Sequence, residues 1–530
     1  MYKFLDLVPE VDLLKILNNE IGAKSRLAKR SDRETIYRGL FALFGYDILS
    51  NRKIREVMLL NSPDDIYSNF LERFNPPYSS KLDNCLNISA SPWKPSSKIV
   101  KSFKSFFKIT SEYIPKSSET TKQFEVLPNC KSLNELFDYQ SEISDKICSF
   151  FESEKKASIM QMPTGSGKTR TIFDALTNYF VDYDHKKCIW LAHSDELLEQ
   201  AIGTLKAVWG QQGNRDIEIG RLWGNNRVDE ELLDVDFLFV GFAKFISISK
   251  NNIDFYNDLI NSFDIFIVDE AHKSVSSSLG YLLTNLLKIE NKQVLGLTAT
   301  PGRSYVDSIE NTKLVSLYKE IIGSEILGET PIAFLQKRGI LANIIPIDYK
   351  KGVEVNLTQE DFNQTIESGD FTQKVLKKLA DNRKRNEVIV DIIKEELSNN
   401  KKTLVFCCNV EHSKKIAVML ATQGIISASV DYKIKPNARK GIIEDFRTGK
   451  LQVLLNFGIF STGLDIPDID TVFITRPTSS IVLYSQMIGR GLRGKKVGGT
   501  EECRLINVRD NFSNFGDVDG VYNFFENDWS

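Results

Sequence analysis

Residues Pro163 to Thr169 read Pro-Thr-Gly-Ser-Gly-Lys-Thr. Glycines at 165 and 167 let backbone N–H groups turn toward a polyphosphate with no Cβ in the way. Lys168 can reach β- and γ-phosphates, and the Thr169 hydroxyl can ligand Mg²⁺. Thr164 and Ser166 complete the loop. The strict pattern, G-x-x-x-x-G-K-[ST], would begin with glycine at 162, where this chain has Met162, so the loop is a variant. A second set of reactive residues lies about a hundred positions on, in Phe263 to His272, FDIFIVDEAH. Asp269 can hold Mg²⁺ through water, and Glu270 can orient and deprotonate an attacking water. A third stretch, LTATPGR from Leu297 to Arg303, places Thr298 and Thr300 where they could bond the His272 region and relay the nucleotide state. The fourth is Tyr484 to Gly494, YSQMIGRGLRG. Its Gln486, Arg490 and Arg493 are spaced i, i+4, i+7, which is one face if the segment is helical. Two guanidiniums aimed across a cleft can neutralise a transferring γ-phosphoryl group.

The elements that must carry these residues follow from the apolar pattern. A short apolar run, Ile159-Met160, reads as a strand ending in the glycine turn. After it, Ile172, Leu176 and Phe180 share one helical face. A helix from Tyr139-Gln140 to about Phe151 precedes the loop, and Gln140 joins Pro163 among the candidate nucleotide-binding residues. Helices then alternate with apolar runs at Cys188–Ala192, Phe237–Val240, Ile265–Val268 and Val294–Leu297. Such alternation predicts a parallel sheet covered on both faces, with ligands at the strand C-terminal ends, where the motifs fall. Further strands are expected at Lys402–Cys408 and Val453–Phe457, with a long helix from Asn382-Arg383 to about Leu397 ahead of them.

The chain of 530 residues, 42% hydrophobic and 26% charged, is ordinary globular material for several domains. Its net charge of −2 means that a nucleic-acid partner needs a local basic patch. Seven scattered cysteines without a C-x-x-C argue against a disulfide framework or a zinc site and fit a reducing compartment. The start lacks the pattern of a signal peptide and no apolar run reaches membrane-span length, so a cytoplasmic protein without a membrane partner is expected.

Residues 1–125 read as a small, mostly helical accessory domain without a chemical motif. It holds two basic stretches, Lys24–Arg38 and Lys94–Lys108. In the second, Ile99, Phe103, Phe106 and Phe107 share a helical face with the lysines mostly elsewhere. That pattern suits either a phosphate-backbone contact or a helix docked by its Phe face with solvated lysines. The seam to the next domain is expected near Lys116–Leu133.

Taken together, PTGSGKT, LAHSDELLEQ, DEAH and LTATP resemble motifs I, Ia, II and III of superfamily-2 helicases and translocases, closest to the XPB, RadD and type III restriction-subunit group. KTLVFCC resembles motif IV, FSTGLDIP motif V and QMIGRGLR motif VI. The resemblance spans roughly residues 130 to 515. It implies two tandem RecA-like, doubly wound parallel-sheet domains, 126–330 and 331–530, with Pro331–Leu341 as the bridge between them. It also implies ATP and Mg²⁺ as cofactors, Gly463 and Asp465 meeting the ribose or the nucleic-acid side, and hydrolysis gated by closure of the two domains. The implied partner is DNA, duplex favoured and RNA not excluded. Three readings follow: a DNA helicase or translocase in repair or anti-phage restriction, a nucleic-acid-stimulated remodelling ATPase, and a subunit whose N-terminal domain docks a protein partner such as a nuclease. The nucleic-acid motifs depart from the pattern. Ser194 stands where relatives usually carry Arg, and Gly241 and Ala243 stand where Thr-x-Gln is common. The basic N-terminal domain or a partner protein is expected to supply the missing grip.

Overall fold

The structure is a computed structural model. It describes residues 2–21, 31–78, 80–116, 123–127, 135–274, 277–299, 308–328, 331–349, 354–355, 358–368, 370–397, 402–458, 468–478, 481–508 and 511–512. Thr300, Gly463 and Asp465, with the rest of Phe460–Pro467, lie outside the described residues, as does part of the first basic stretch.

A helical N-terminal region is followed by two parallel-sheet domains of RecA-like plan. The first sheet contains β1 (Phe124–Leu127), β2 (Ala157–Gln161), β3 (Cys188–Ala192), β4 (Ile217–Leu222), β5 (Phe237–Gly241), β6 (Ile265–Asp269), β7 (Gln293–Thr298) and β8 (Ile321–Ile322). Their spatial order is β1-β4-β5-β3-β6-β7-β2-β8. All neighbours are parallel except β1 against β4. Alternate residues of the central strands belong to separate apolar layers: Trp190, Phe239 and Ile267 on one face, Leu191, Val240 and Val268 on the other. Burial of both faces explains why these strands read as unbroken apolar runs.

The second sheet contains β9 (Asn343–Tyr349), β11 (Thr403–Phe406), β12 (Ser427–Val430), β13 (Val453–Asn456), β14 (Thr471–Ile474) and β15 (Glu502–Val508); the short β10 (Glu354–Val355) and β16 (Asn511–Phe512) pair beside it. Its order is β12-β13-β11-β14-β15-β9, all parallel.

The stretch Lys116–Leu133 includes β1, which runs antiparallel along the first sheet's edge through Phe124 opposite Gly220. One expectation needs correction. The helical segment of YSQMIGRGLRG stops at Ile488, so Gln486, Arg490 and Arg493 do not share one helical face. The physical reason is the run Gly489-Arg490-Gly491. Its bonds close as turns, Arg490 N–H donating to Met487 O and Gly491 N–H to Ile488 O. A side chain at Gly491 would also strike Cys503 Sγ at 2.4 Å.

The N-terminal helices pack on the second domain. The Arg33–Phe44 helix lies against the Val410–Thr422 helix and β12 of the second domain. Gly45, at φ +50°, ends that helix where any Cβ would meet Ile442 Cδ1 at 2.4 Å. The Tyr46 hydroxyl donates to Asp445 Oδ2 at 2.6 Å, and Lys435 pairs with Asp47 at 3.4 Å. Ile442 is fully buried between the two. The apolar residues of both belong to one continuous core.

Candidate nucleotide site

The loop after β2 is shaped by Gly165 at φ +86° and Gly167 at φ +89°, conformations that side chains resist. A Cβ at 167 would also lie 2.3 Å from Gln140 Nε2. The Lys168–Asp182 helix starts immediately after the second glycine, so its free N–H groups open into the turn. Phe173, one turn in, stacks on Trp190 of β3 with centroids 4.6 Å apart and fixes this helix to the sheet. The loop is braced from behind. Tyr139 OH and Gln140 Nε2 both donate to the Ser166 carbonyl, at 2.6 and 3.0 Å, while Gln140 Oε1 accepts from Phe137 N–H at 3.1 Å. Ser166 Oγ donates to Pro163 O at 2.7 Å, and Met162 N–H to Thr298 O at 3.1 Å. Gln140 is therefore committed to shaping the loop. Thr298, fully buried at the end of β7, ties its own strand to the loop through its carbonyl.

Lys168 Nζ donates to the Met162 carbonyl at 3.0 Å, inside the turn. Burial lowers its pKa; the charges of Glu270 and Asp269 work against that, and Arg490 adds to it. Asp269 ends β6 and is buried, and its pKa is pushed up to about 7 by burial and by the Glu270 carboxylate. Glu270 follows in the left-handed region, φ 54°, an uncommon conformation for a residue with a side chain. Burial raises its pKa, but His272, Lys168 and Lys273 outweigh burial and hold the carboxylate below its ordinary value. His272 Nδ1 lies 3.3 Å from Glu270 Oε2.

These residues fit a nucleotide triphosphate with Mg²⁺. Asp269 is a buried acid whose pKa stays raised to about 7 even with the Lys168 and Lys273 charges near it, a setting in which a divalent ion would hold it ionised. Among the described residues no cluster of three or more His, Cys, Asp or Glu forms a metal site. Mg²⁺ needs only one or two protein oxygens and completes its shell with phosphate and water. Asp269 and Thr169 are those candidates.

The second domain closes over the loop. A side chain at Gly165 would meet Leu341 Cδ2 at 3.3 Å and lie 4.0 Å from Gly489 O and Leu492 Cβ. Leu341, just after the Pro331–Lys337 helix, forms a β-bridge with Arg493, and Ala342 N–H donates to Leu492 O at 2.8 Å. The bridging segment and the arginine segment are thus stitched together at the loop. Arg490 is near enough for its charge to act on Lys168. Gln486 is buried on the last helical turn, and its Nε2 has no hydrogen-bond partner among the described residues. Arg338 holds Asp138 through two contacts at 2.8 and 2.9 Å, and Arg439 reaches Glu196 at 3.3 Å across the same seam.

One neighbour of the acid pair was not singled out from the sequence. His193, directly after β3, sits among Glu270, His272 and Lys273. Burial, helped by the Lys273 charge, depresses its pKa to about 4, so it is neutral near pH 7. Its only signal was a place inside LAHSDELL. Ser194 beside it caps the Asp195–Gln212 helix, its Oγ accepting from Leu197 N–H at 3.3 Å. Gly241 backs onto Trp223, whose Cβ would lie 3.1 Å from an added side chain. Two of the departures from the motif pattern, Ser194 and Gly241, thus have local structural roles.

Comparison with known proteins agrees with this arrangement. The family model "Type III restriction enzyme, res subunit" matches residues 133–303, and "Helicase conserved C-terminal domain" matches residues 384–495. A Saccharomyces cerevisiae protein named as an ATP-dependent helicase, IRC3, is 29% identical over 390 residues, covering 70% of this chain and 51% of its own length. A Schizosaccharomyces pombe protein named as a mitochondrial ATP-dependent helicase is 30% identical over 385 residues, covering 70% of this chain and 57% of its own. The chain spans just over half the length of these relatives. The solved structure of the type ISP restriction-modification enzyme LlaBIII bound to DNA shares the fold, with TM-score 0.52 and 18% identity over 73% of this chain and 28% of that one. Among the described residues no helix is long and apolar enough to cross a membrane.

Proposed function

The chain belongs to the superfamily-2 helicases related to the type III restriction-subunit and DEAH-type group, and from that premise we propose that it is an ATP-driven motor on nucleic acid. The observation that carries this reading is the seam itself: Gly165 under Leu341, Gly489 and Leu492, with the Arg490 charge acting on Lys168. Lys168 and the loop N–H groups bind the triphosphate. Thr169 and Asp269 would hold Mg²⁺, which would supply positive charge to the triphosphate. Glu270, kept ionised by its neighbours, orients water and takes its proton as the oxygen bonds to the γ-phosphorus and the bridge to the β-phosphate breaks. Arg490 and Arg493 come from the other domain and neutralise the transferring group, with Gln486 beside them. Turnover then depends on closure, which couples hydrolysis to a relative movement of the domains.

DNA is the preferred track. The Gln486 to Arg493 sequence has the form found in DNA-acting relatives, and the restriction enzyme of similar fold is named as bound to DNA. ATPase rates with single-stranded, duplex and forked DNA and with RNA, at one stated salt concentration, test this reading. The expected result is strong stimulation by DNA. Absence of stimulation by every polynucleotide contradicts a motor, and stimulation by RNA alone contradicts the preference. Triplex displacement without fork unwinding identifies a translocase that does not separate strands.

A further inference from the structure

The Lys98–Phe106 helix has two unlike faces. Ile99, Val100 and Phe103 are buried, and Phe103 packs against Phe70, Trp93 and Phe107 with ring centroids 5.1 to 5.6 Å apart. Lys94, Lys98, Lys101, Lys104 and Lys108 are all exposed. No Asp or Glu occurs anywhere from 84 to 111. None of these five lysines has an acidic side chain within 4.0 Å among the described residues. Residues 1–116 carry 19 Lys and Arg against 13 Asp and Glu, whereas the whole chain is net −2. The basic surplus is therefore concentrated in the N-terminal region.

The first domain shows the opposite charge at the place where its relatives' motif Ia contributes Arg. The helix beginning there opens with Asp195 and Glu196, followed by Glu199, and Asp195 has its pKa raised by burial and by those two neighbours. A polyanion gains little at that helix start.

We infer that the lysine row from Lys94 to Lys108 is a phosphate-backbone binding surface for nucleic acid, carried by the second domain. This inference rests on the motor reading and adds to it a second point of grip. The row exposes lysines, serines and a proline, with no exposed aromatic or amide side chain to read a base, so its contacts are with phosphates and independent of sequence. An anionic membrane would offer phosphates too, but membrane binding by such a helix uses its apolar face, and that face is already inside the domain core. Tyr46–Asp445, Lys435–Asp47 and the Gly45–Ile442 contact join this region to the second domain. The grip therefore travels with the domain that brings Arg490, and the bound strand is displaced relative to the Lys168 side at each closure.

Removing the N-terminal region would strip the cover from Ile442, so the test uses point variants of the full chain. Lys98 is left alone because its ammonium lies over the Phe74 ring at 5.1 Å. The triple variant Lys94→Gln, Lys101→Gln, Lys104→Gln is compared with wild type and with the corresponding triple Arg variant, after thermal melts establish equal stability. Binding of fluorescein-labelled duplex DNA, single-stranded DNA and RNA is titrated across salt concentrations. Each lost phosphate contact lowers the slope of log K against log salt by about 0.9 for duplex. The Gln variant should lose about two to three units of slope and about tenfold in affinity, and the Arg variant should retain both. Equal slopes in wild type and the Gln variant overturn the surface while leaving the motor reading intact. A wild-type protein that binds none of the three polynucleotides overturns both. Loss of binding to phosphatidylserine vesicles, with nucleic-acid binding unchanged, overturns it in favour of a lipid surface.

Discussion

The two α/β domains share a parallel-sheet plan but bring opposite chemistry to their common seam. The first supplies Lys168, Asp269 and Glu270, a compact group whose buried acids are partly compensated by Lys168, Lys273 and His272. The second supplies Arg490 on a glycine-broken turn, held by the Leu341–Arg493 bridge. On the proposed reading the first domain binds a triphosphate by itself. Only the pair can stabilise its transfer, so binding and turnover should separate genetically along the domain boundary.

The largest effect tests that separation. Arg490→Ala should lower kcat by about 10³-fold or more, the low end for an arginine supplied across a cleft. Steady-state ATPase with DNA present reads it, and an unchanged kcat breaks the contrast. Within the first domain, Glu270→Gln should cost about 10²–10⁴ in kcat, the range for a general base, while ATP still binds. Normal turnover there would remove the proton-acceptor role. A smaller effect comes from the ion pair across the seam. Glu196→Gln removes a partly exposed contact with Arg439, of the kind that contributes about 0.2–1 kcal/mol. The nucleotide-free domains should open at most about fivefold more often, readable as a change in fluorescence transfer between labels on the two domains. A pH-dependent effect concerns His193. Its folded pKa, about 4, lies below the ordinary histidine value of about 6.5. As pH falls through that window the unfolded chain takes up a proton that the folded chain refuses, so stability drops. The fall in Tm between those pH values should be shallower in His193→Asn, and an equal fall would mean that another group is responsible.

Much of this was legible in the sequence because it is local. Cys188–Ala192 is both an unbroken apolar run and a strand buried on both faces, and the loop glycines announce themselves by number and spacing. What stayed hidden depends on distant partners. Phe124–Leu127 is too short and too isolated to declare itself, and becomes a strand only because β4 offers an edge. Nothing in residues 33–50 points to Ile442 or Asp445, about 400 positions away. The helical spacing of Gln486, Arg490 and Arg493 was real as arithmetic but was overridden by Gly489 and Gly491, which end the helix early. Lys94–Lys108 was half legible: the buried Phe face followed from periodicity, while the absence of acidic neighbours emerged only in three dimensions.

The division of labour across the seam comes down to one paired titration: a fluorescent ATP analogue added to Lys168→Ala and to Arg490→Ala, with Mg²⁺ and duplex DNA present. Lys168→Ala should lose nucleotide binding, and Arg490→Ala should bind within a few-fold of wild type while failing to turn over. If both variants lose binding alike, or if Arg490→Ala hydrolyses ATP at the wild-type rate, the two domains do not share one triphosphate in this way.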